Sequence, residues 1–303
     1  AANNLGIKFA IEDGCEYFVI ANMDTSFSSN WLSELILAID KYQNVGIVQS
    51  KILLYPKDGF TKNQSQTTAK SFGFNYVEEK PRQFKINSLG NIIHFLGFGY
   101  TDKYGEDDKE ISGLPEIKGY ASGCSFMIKK EIINKIEGYN EEYFMYHDDM
   151  EISLKVKIAG YKIFLASKSI VYHKYEFSRS VKMVYFMERN RYLIMFHFYG
   201  LFTLILLLPI ILVTDLGMLF FSIYNGWFIE KIKVYKYFLN LKTWKKINEA
   251  RKKINSLRKM NDNEVLDGMT AKINFQEINN PVLNYIANPI FKVYFSLIKK
   301  IIK

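Results

Sequence analysis

The chain has 303 residues, 49% of them hydrophobic and 23% charged, which suits a packed core and excludes a disordered or fibrous chain. A net charge of +9 calls for an anionic partner; no zinc-finger spacing occurs and the basic residues gather in the C-terminal third beside an apolar stretch, so a membrane surface fits better than nucleic acid. Two cysteines, Cys15 and Cys124, exclude a disulfide framework and a four-cysteine zinc site and suit a reducing compartment.

The opening residues show neither an initiator Met nor a signal peptide, and they already read as the inside of a domain. The chain is therefore expected to be a fragment lacking its first strands. Residues 7–11 predict a short helix closed by Asp13-Gly14, and 16–21 (EYFVIA) predict a buried strand. Asn22 and Asp24 stand just past its C-terminal end. Residues 28–42 predict a helix capped by Ser28 or Ser29, with Trp31, Leu35 and Ile39 on one face, and 45–54 predict a second strand. Strand, helix and strand at this spacing form a βαβ unit, which implies an α/β fold with a mostly parallel sheet flanked by helices.

Polar stretches at 58–59, 63–66 and 106–110 predict loops, and the apolar piece 91–98 suits a sheet edge. Residues 120–129 (YASGCSFMIK) predict a strand in which Gly123 permits a close approach to the backbone. A short helix over 131–136 is ended by Gly138, and a longer one over 149–159 by Gly160. Two short strands follow, 162–166 and 169–172, the second delivering His173.

From Leu201 to Tyr224 the chain carries one charge, Asp215, and is long enough to cross a hydrocarbon core of roughly 30 Å. Pro209 and Gly217 interrupt it, and cations flank both ends: Arg179, Lys182, Arg189 and Arg191 before, then Lys231, Lys233, Lys236, Lys242, Lys245 and Lys246. The positive-inside tendency thus favours a re-entrant hairpin or in-plane insertion on the cytoplasmic face of the cell membrane; a single span and a soluble core helix stay open. Asp215 is expected to be a buried or neutral structural acid. Residues 290–302 suit a basic amphipathic helix lying on an anionic membrane surface, or one packed on its own domain.

The chemistry gathers in three places. The cluster Tyr146-His147-Asp148-Asp149-Met150-Glu151 crowds three carboxylates, which raises a carboxyl pKa unless a cation or hydrogen-bond donors relieve it. Asp24 and His173 end predicted strands, where open α/β sheets bind ligands. Each has an ordinary reading by itself: an N-cap, a turn, a hydrogen-bonded histidine. Together they suggest metal-assisted group transfer.

Asn22-Met23-Asp24-Thr25, Gly123-Cys124 in a strand, the run from Glu142 to Lys155, Ala159-Gly160-Tyr161 and Val171-Tyr172-His173 resemble family 2 glycosyltransferases, in particular their rhamnosyltransferase-like branch. The resemblance covers about residues 1–175. It implies a GT-A (Rossmann-like) domain over residues 1–178, followed by a membrane-associated helical region over 179–303. It further implies inverting, non-processive transfer of a sugar from a nucleotide-diphospho-sugar donor to a glycan or lipid-linked acceptor, with a divalent cation, Mn²⁺ or Mg²⁺. By this resemblance Asp149 is the expected base, with Asp148 beside it as the alternative. Asp24 and His173 are expected to hold the metal, Asn22 and Asp24 the donor, and Ser122, Gly123 and Tyr146 the acceptor. Tyr143, Phe144 and Tyr146 could stack on a sugar face or pack in the core. Asn22 stands where the family's first Asp is found, Asp148 where a Glu is usual, and Glu151 where an Asp is usual. The Gln-x-x-Arg-Trp sequence of the processive members is absent. Two rival readings are a phosphohydrolase built on His147-Asp148, which lacks further histidine ligands, and an inactive or non-catalytic membrane-bound sugar-nucleotide-binding fragment.

Overall fold

A computed structural model describes residues 2–56, 83–175, 181–274 and 281–302. The loops expected at 58–59 and 63–66, Arg179 and the 178/179 division lie outside these residues, as does the side chain of Lys182.

In chain order, α1 (Ala2–Glu12) leads to β1 (Tyr17–Ala21), β2 (Thr25–Phe27), α2 (Trp31–Ile39) and β3 (Val45–Leu54). Next come β4 (Ile86–Ser88), β5 (Asn91–His94), β6 (Gly99–Thr101), β7 (Ser125–Lys129), α3 (Lys130–Lys135), α4 (Asp148–Ile158) and β8 (Lys162–His173). The C-terminal part holds α5 (Val181–Phe198), α6 (Leu201–Tyr224), α7 (Phe228–Leu239), α8 (Leu241–Leu257), α9 (Asp262–Asp267), β9 (Met269–Thr270) and α10 (Asn288–Ile301).

The fold is α/β, but the sheet is mixed, which corrects the expectation of a mostly parallel one. Its order is β1-β7-β3-β8-β2, with β4 on β3. Among these pairs only β3 and β8 run parallel. β1 and β3 do point the same way, as a βαβ unit requires, yet β7 lies between them and is antiparallel to both. The described residues that lead into β7 from β6 hold no helical crossover, so nothing there forces it to enter from the parallel end. The apolar piece at 91–98 likewise leaves the main sheet: β5 pairs with β6 and with the distant β9, Ile93 opposite Met269.

Three local expectations also shift. Asn30, not a serine, occupies the N-cap of α2, because the Ser28 hydroxyl is engaged with the Asn30 side chain (3.0 Å). The two short strands before His173 form one strand with an irregularity between Ala166 and Ile170. The Ser169 hydroxyl donates to the Trp31 carbonyl (2.9 Å) there, which anchors the irregular stretch. The first helix is longer than expected, running from Ala2 to Glu12.

β3 is buried on both faces, its polar Gln49, Ser50 and Lys51 included. Ile47 packs with Ile128, Ile152, Val156 and Ile163 on one side, while Val48 packs with Leu35, Ile39 and Met127 on the other. A Cβ at Gly46 would stand 2.3 Å from Val156, so the glycine lets α4 sit directly on β3 and fixes the height of its N-terminus. The largest cluster joins Phe95, Tyr143, Met150 and Leu154 to Leu193, Leu207, Val234, Ile254 and Phe291. One core therefore runs from α4 through the C-terminal helices.

Candidate active site

The site is assembled where β1 and β8 end. β2 turns straight back from Asp24 and pairs antiparallel with the end of β8, Thr25 opposite His173. That register sets Asp24 beside the histidine: its Oδ1 lies 3.2 Å from His173 Nε2. The Asn22 amide nitrogen is 3.5 Å from the same ring nitrogen. Asp24 is half exposed and His173 is buried.

The other face of the imidazole is held by a residue the sequence did not single out. His173 Nδ1 lies 2.8 Å from Oδ1 of buried Asn87 on β4. An amide oxygen only accepts, so Nδ1 carries the proton, and in the neutral ring Nε2 turns its lone pair toward Asp24. A lone pair facing a carboxylate oxygen is repulsive unless a proton or a cation lies between them. The pair thus offers one nitrogen and one carboxylate, oriented by an outer amide as metal-binding histidines usually are. Mg²⁺ and Mn²⁺ fit such a half-site, because they keep few protein ligands and take the remainder from water and phosphate oxygens. Among the described residues no group of three or more His, Cys, Asp or Glu side chains gathers as a metal cluster.

The second half of the site is the turn at 122–124 and the start of α4. Gly123 N–H donates to Asp149 Oδ2 (3.1 Å), and Met150 N–H donates to Oδ1 (2.9 Å). A Cβ on Gly123 would touch Asp149 Cβ at 3.4 Å, so the small residue expected to admit a close neighbour admits this carboxylate. Ser122 N–H donates to Oε1 of buried Gln49 (2.7 Å), which pins the turn to β3. On its other side the turn accepts Asn22 N–H at the Cys124 carbonyl (3.0 Å). One three-residue turn therefore touches both Asn22 and Asp149.

Burial, followed by the charge of Asp148, raises the Asp149 carboxyl to about 7, against the pull of the Gly123 and Met150 amides. Burial also raises Asp148. Glu151 is turned away from this pair: it is fully buried and its Oε1 meets Lys155 Nζ at 2.7 Å. His147 donates from Nε2 to the Gly97 carbonyl (3.1 Å), and burial lowers its pKa to about 4. It is a neutral anchor, which leaves the phosphohydrolase reading without its histidine.

The loop before α4 carries Phe144, Tyr146 and His147 at φ of 57°, 63° and 61°. None is glycine, and such backbone persists only when its surroundings hold it. The holder is α5. Asn190 Nδ2 lies within hydrogen-bond reach of the carbonyls of Tyr143 (2.9 Å), Met145 (2.8 Å) and Tyr146 (2.7 Å). Arg189 Nη2 donates to the carbonyls of Glu142 (2.5 Å) and Tyr143 (3.1 Å). Tyr143 is completely buried, with its hydroxyl 3.0 Å from His197 Nδ1, so it belongs to the core and does not stack on a ligand. Phe144 is exposed and Tyr146 half-buried. The only hint of the clamp in the sequence is the polar run Glu188-Arg189-Asn190-Arg191 inside an otherwise apolar helix.

Replacing Asn190 with Ala takes this donor from the Met145 and Tyr146 carbonyls, while Tyr143 keeps Arg189, and is expected to cost about 3 kcal/mol. Hydrogen exchange of amides 143–149 should rise while β3 and β8 exchange as before. Unchanged exchange in the loop would remove Asn190 from the clamp.

No protein-family model matches the sequence, and no curated protein matches it. Among solved structures, the crystal structure of GalNAc-T7 with UDP, GalNAc and Mn²⁺ aligns at 13% identity and a TM-score of 0.37. The alignment covers 61% of this chain and 34% of that one, so this chain spans about a third of its length. The functional reading therefore rests on the residues of the site.

Proposed function

We propose that this protein transfers a sugar from a nucleotide-diphospho-sugar to a hydroxyl of a glycan or lipid-linked acceptor, with inversion, in the manner of family 2 glycosyltransferases of the rhamnosyltransferase-like branch. The observation that carries the reading is the 3.2 Å approach of Asp24 to His173, joined through Asn22 and the 122–124 turn to the half-buried Asp149.

Asp24 and His173 would hold a divalent cation, Mn²⁺ or Mg²⁺, at the side of the site that receives the donor diphosphate. When bound, the cation neutralises charge on the departing diphosphate. Asp149 accepts the acceptor's hydroxyl proton while that oxygen bonds to the anomeric carbon and the bond to the diphosphate breaks. Each Asp149 oxygen takes one backbone N–H and keeps a second lone pair for this task. With a pKa near the working pH, Asp149 is a better base than an exposed aspartate. Asp148 is the alternative base. Ser122, Gly123 and Tyr146 border the acceptor side.

The test is sugar-nucleotide turnover over a panel of donors, with and without Mn²⁺ or Mg²⁺. Turnover that depends on the cation supports the reading, whereas no turnover with any donor refutes it. Asp24→Ala is expected to weaken cation-dependent donor binding at least about tenfold. A metal titration identical to wild type would exclude Asp24 from the site.

A further inference from the structure

Helix α6 carries its polarity inside out. Its most exposed positions include Leu201, Ile205, Leu208, Leu212, Leu216 and Phe220, each 50–69% exposed and spaced to form one face. Every exposed position along it is apolar, Gly or Pro. Its polar side chains turn inward instead. Thr203 and Ser222 are buried, the Thr203 hydroxyl donates to Asp262, and Asp215 pairs with Lys231 at 2.6 Å.

α10 repeats the pattern. Phe291, Phe295 and Ile298 are buried, yet a second apolar stripe, Ile290, Val293, Leu297 and Ile301, is 47–63% exposed. Exposed Lys292 and Lys300 lie on the polar side of that helix. Tyr294, between the two stripes, donates its hydroxyl to the Leu206 carbonyl of α6 (2.7 Å). The exposed apolar faces of the two helices therefore adjoin. Soluble monomers rarely leave so long an apolar face open.

The packing of the flanks excludes a crossing. α7 folds back along α6, so that Lys231 reaches both Asp215 and Glu188 of α5. α7 and α8 pack on α5, and α8 packs on α4. Both flanks of α6 thus belong to one body, whereas a spanning helix would separate them by roughly 30 Å of hydrocarbon.

We infer that α6 and α10 lie side by side in the plane of an anionic bilayer's interface and do not cross it. Lipid is favoured over a protein partner because the exposed side chains of α6 carry no hydrogen-bonding group apart from the terminal Tyr224, whereas protein interfaces are laced with hydrogen bonds. The lysines of α10 and the net charge of +9 complement anionic headgroups. This inference is independent of the transferase reading.

Deleting the C-terminal helices would remove part of the shared core, so the test uses the full chain. Flotation with phosphatidylcholine vesicles, with and without phosphatidylglycerol, should show binding that needs the anionic lipid. Leu212→Glu and Leu297→Glu, both at exposed positions, should keep the wild-type circular dichroism and each lower vesicle partitioning at least about tenfold. Asn225→Cys, at the end of α6, should react with a membrane-impermeant maleimide added outside the vesicles as readily as the exposed Cys15. Partitioning unchanged in both Glu variants, or equal binding to neutral vesicles, overturns the inference. So does protection of Asn225→Cys until detergent is added, which marks a span. Self-association without vesicle binding overturns it in favour of a second copy.

Discussion

Asp149→Asn is expected to lower transfer about a hundred- to ten-thousand-fold while leaving donor binding intact. The amide keeps the shape, but its single oxygen can accept from only one of the Gly123 and Met150 N–H groups, and it cannot take a proton from the acceptor. In the wild type, turnover should rise with pH through neutrality, as Asp149 ionises at about 7. Because Asp148 is adjacent, that limb reports the pair as a unit. The variant has a second readout that needs no substrate. The folded-state pKa lies above the ordinary value of 3.8, so the folded protein holds more protons than the unfolded chain between those two values. Stability conferred by the protonated form is complete at low pH and declines as pH rises through that window. Asp149→Asn removes this group's share of the decline, so its stability should fall less than that of the wild type as pH rises through this window. Wild-type transfer in the variant would show that Asp149 is not the base. An unaltered pH–stability curve would show that its carboxyl is not raised.

Lys231→Met is expected to destabilise the protein by about 3–5 kcal/mol in denaturant unfolding. Lys231 is fully buried between Glu188 Oε2 (2.8 Å) and Asp215 Oδ1 (2.6 Å). Glu188 has a second cation, since Arg191 meets it through Nε–Oε1 (3.0 Å) and Nη2–Oε2 (3.1 Å). Against the upward push of burial, Arg191 and Lys231 hold Glu188 down to about 2, so it stays ionised and Arg191 can serve it alone. Among the described residues Asp215 meets no other cation; it retains the Tyr192 and Tyr235 hydroxyls. Adding Asp215→Asn to Lys231→Met should therefore recover much of the loss, because the amide oxygen accepts from one tyrosine, its NH2 can donate to the hydroxyl oxygen of the other, and no buried charge is left. A double-mutant cycle measures this coupling, and strict additivity would remove the pair from the stability of the helical region. Of the buried or neutral structural acid expected at position 215, the structure keeps the structural role and gives it an ion pair that fastens α6 to α7 and, through Lys231, to α5.

These two variants probe one connected structure. The strained loop that delivers Asp149 is held by Arg189 and Asn190, and immediately on either side of them in the same helix lie Glu188 and Arg191 of the charged network. A change that loosens α5 is expected to reach both the site and the exposed helices.

Local pattern determined a great deal. The strand at β3, the helix α4 with its acidic start and the apolar helix α6 all fall within a residue of where periodicity, glycine stops and a proline-tolerant apolar run put them, because such signals act over a few neighbours. The candidate acids and the histidine were legible for the same reason: they stand at the ends of apolar runs. What only the tertiary structure decided depends on contacts distant in the chain. β7 slips between β1 and β3 and makes the sheet mixed; β2, three residues long, is too short for any period yet sets Asp24 beside His173. Asn87 and Asn190 act on carbonyl and ring atoms dozens of residues away. An asparagine's role is set by whatever the fold brings to its amide, and no spacing within the sequence encodes that.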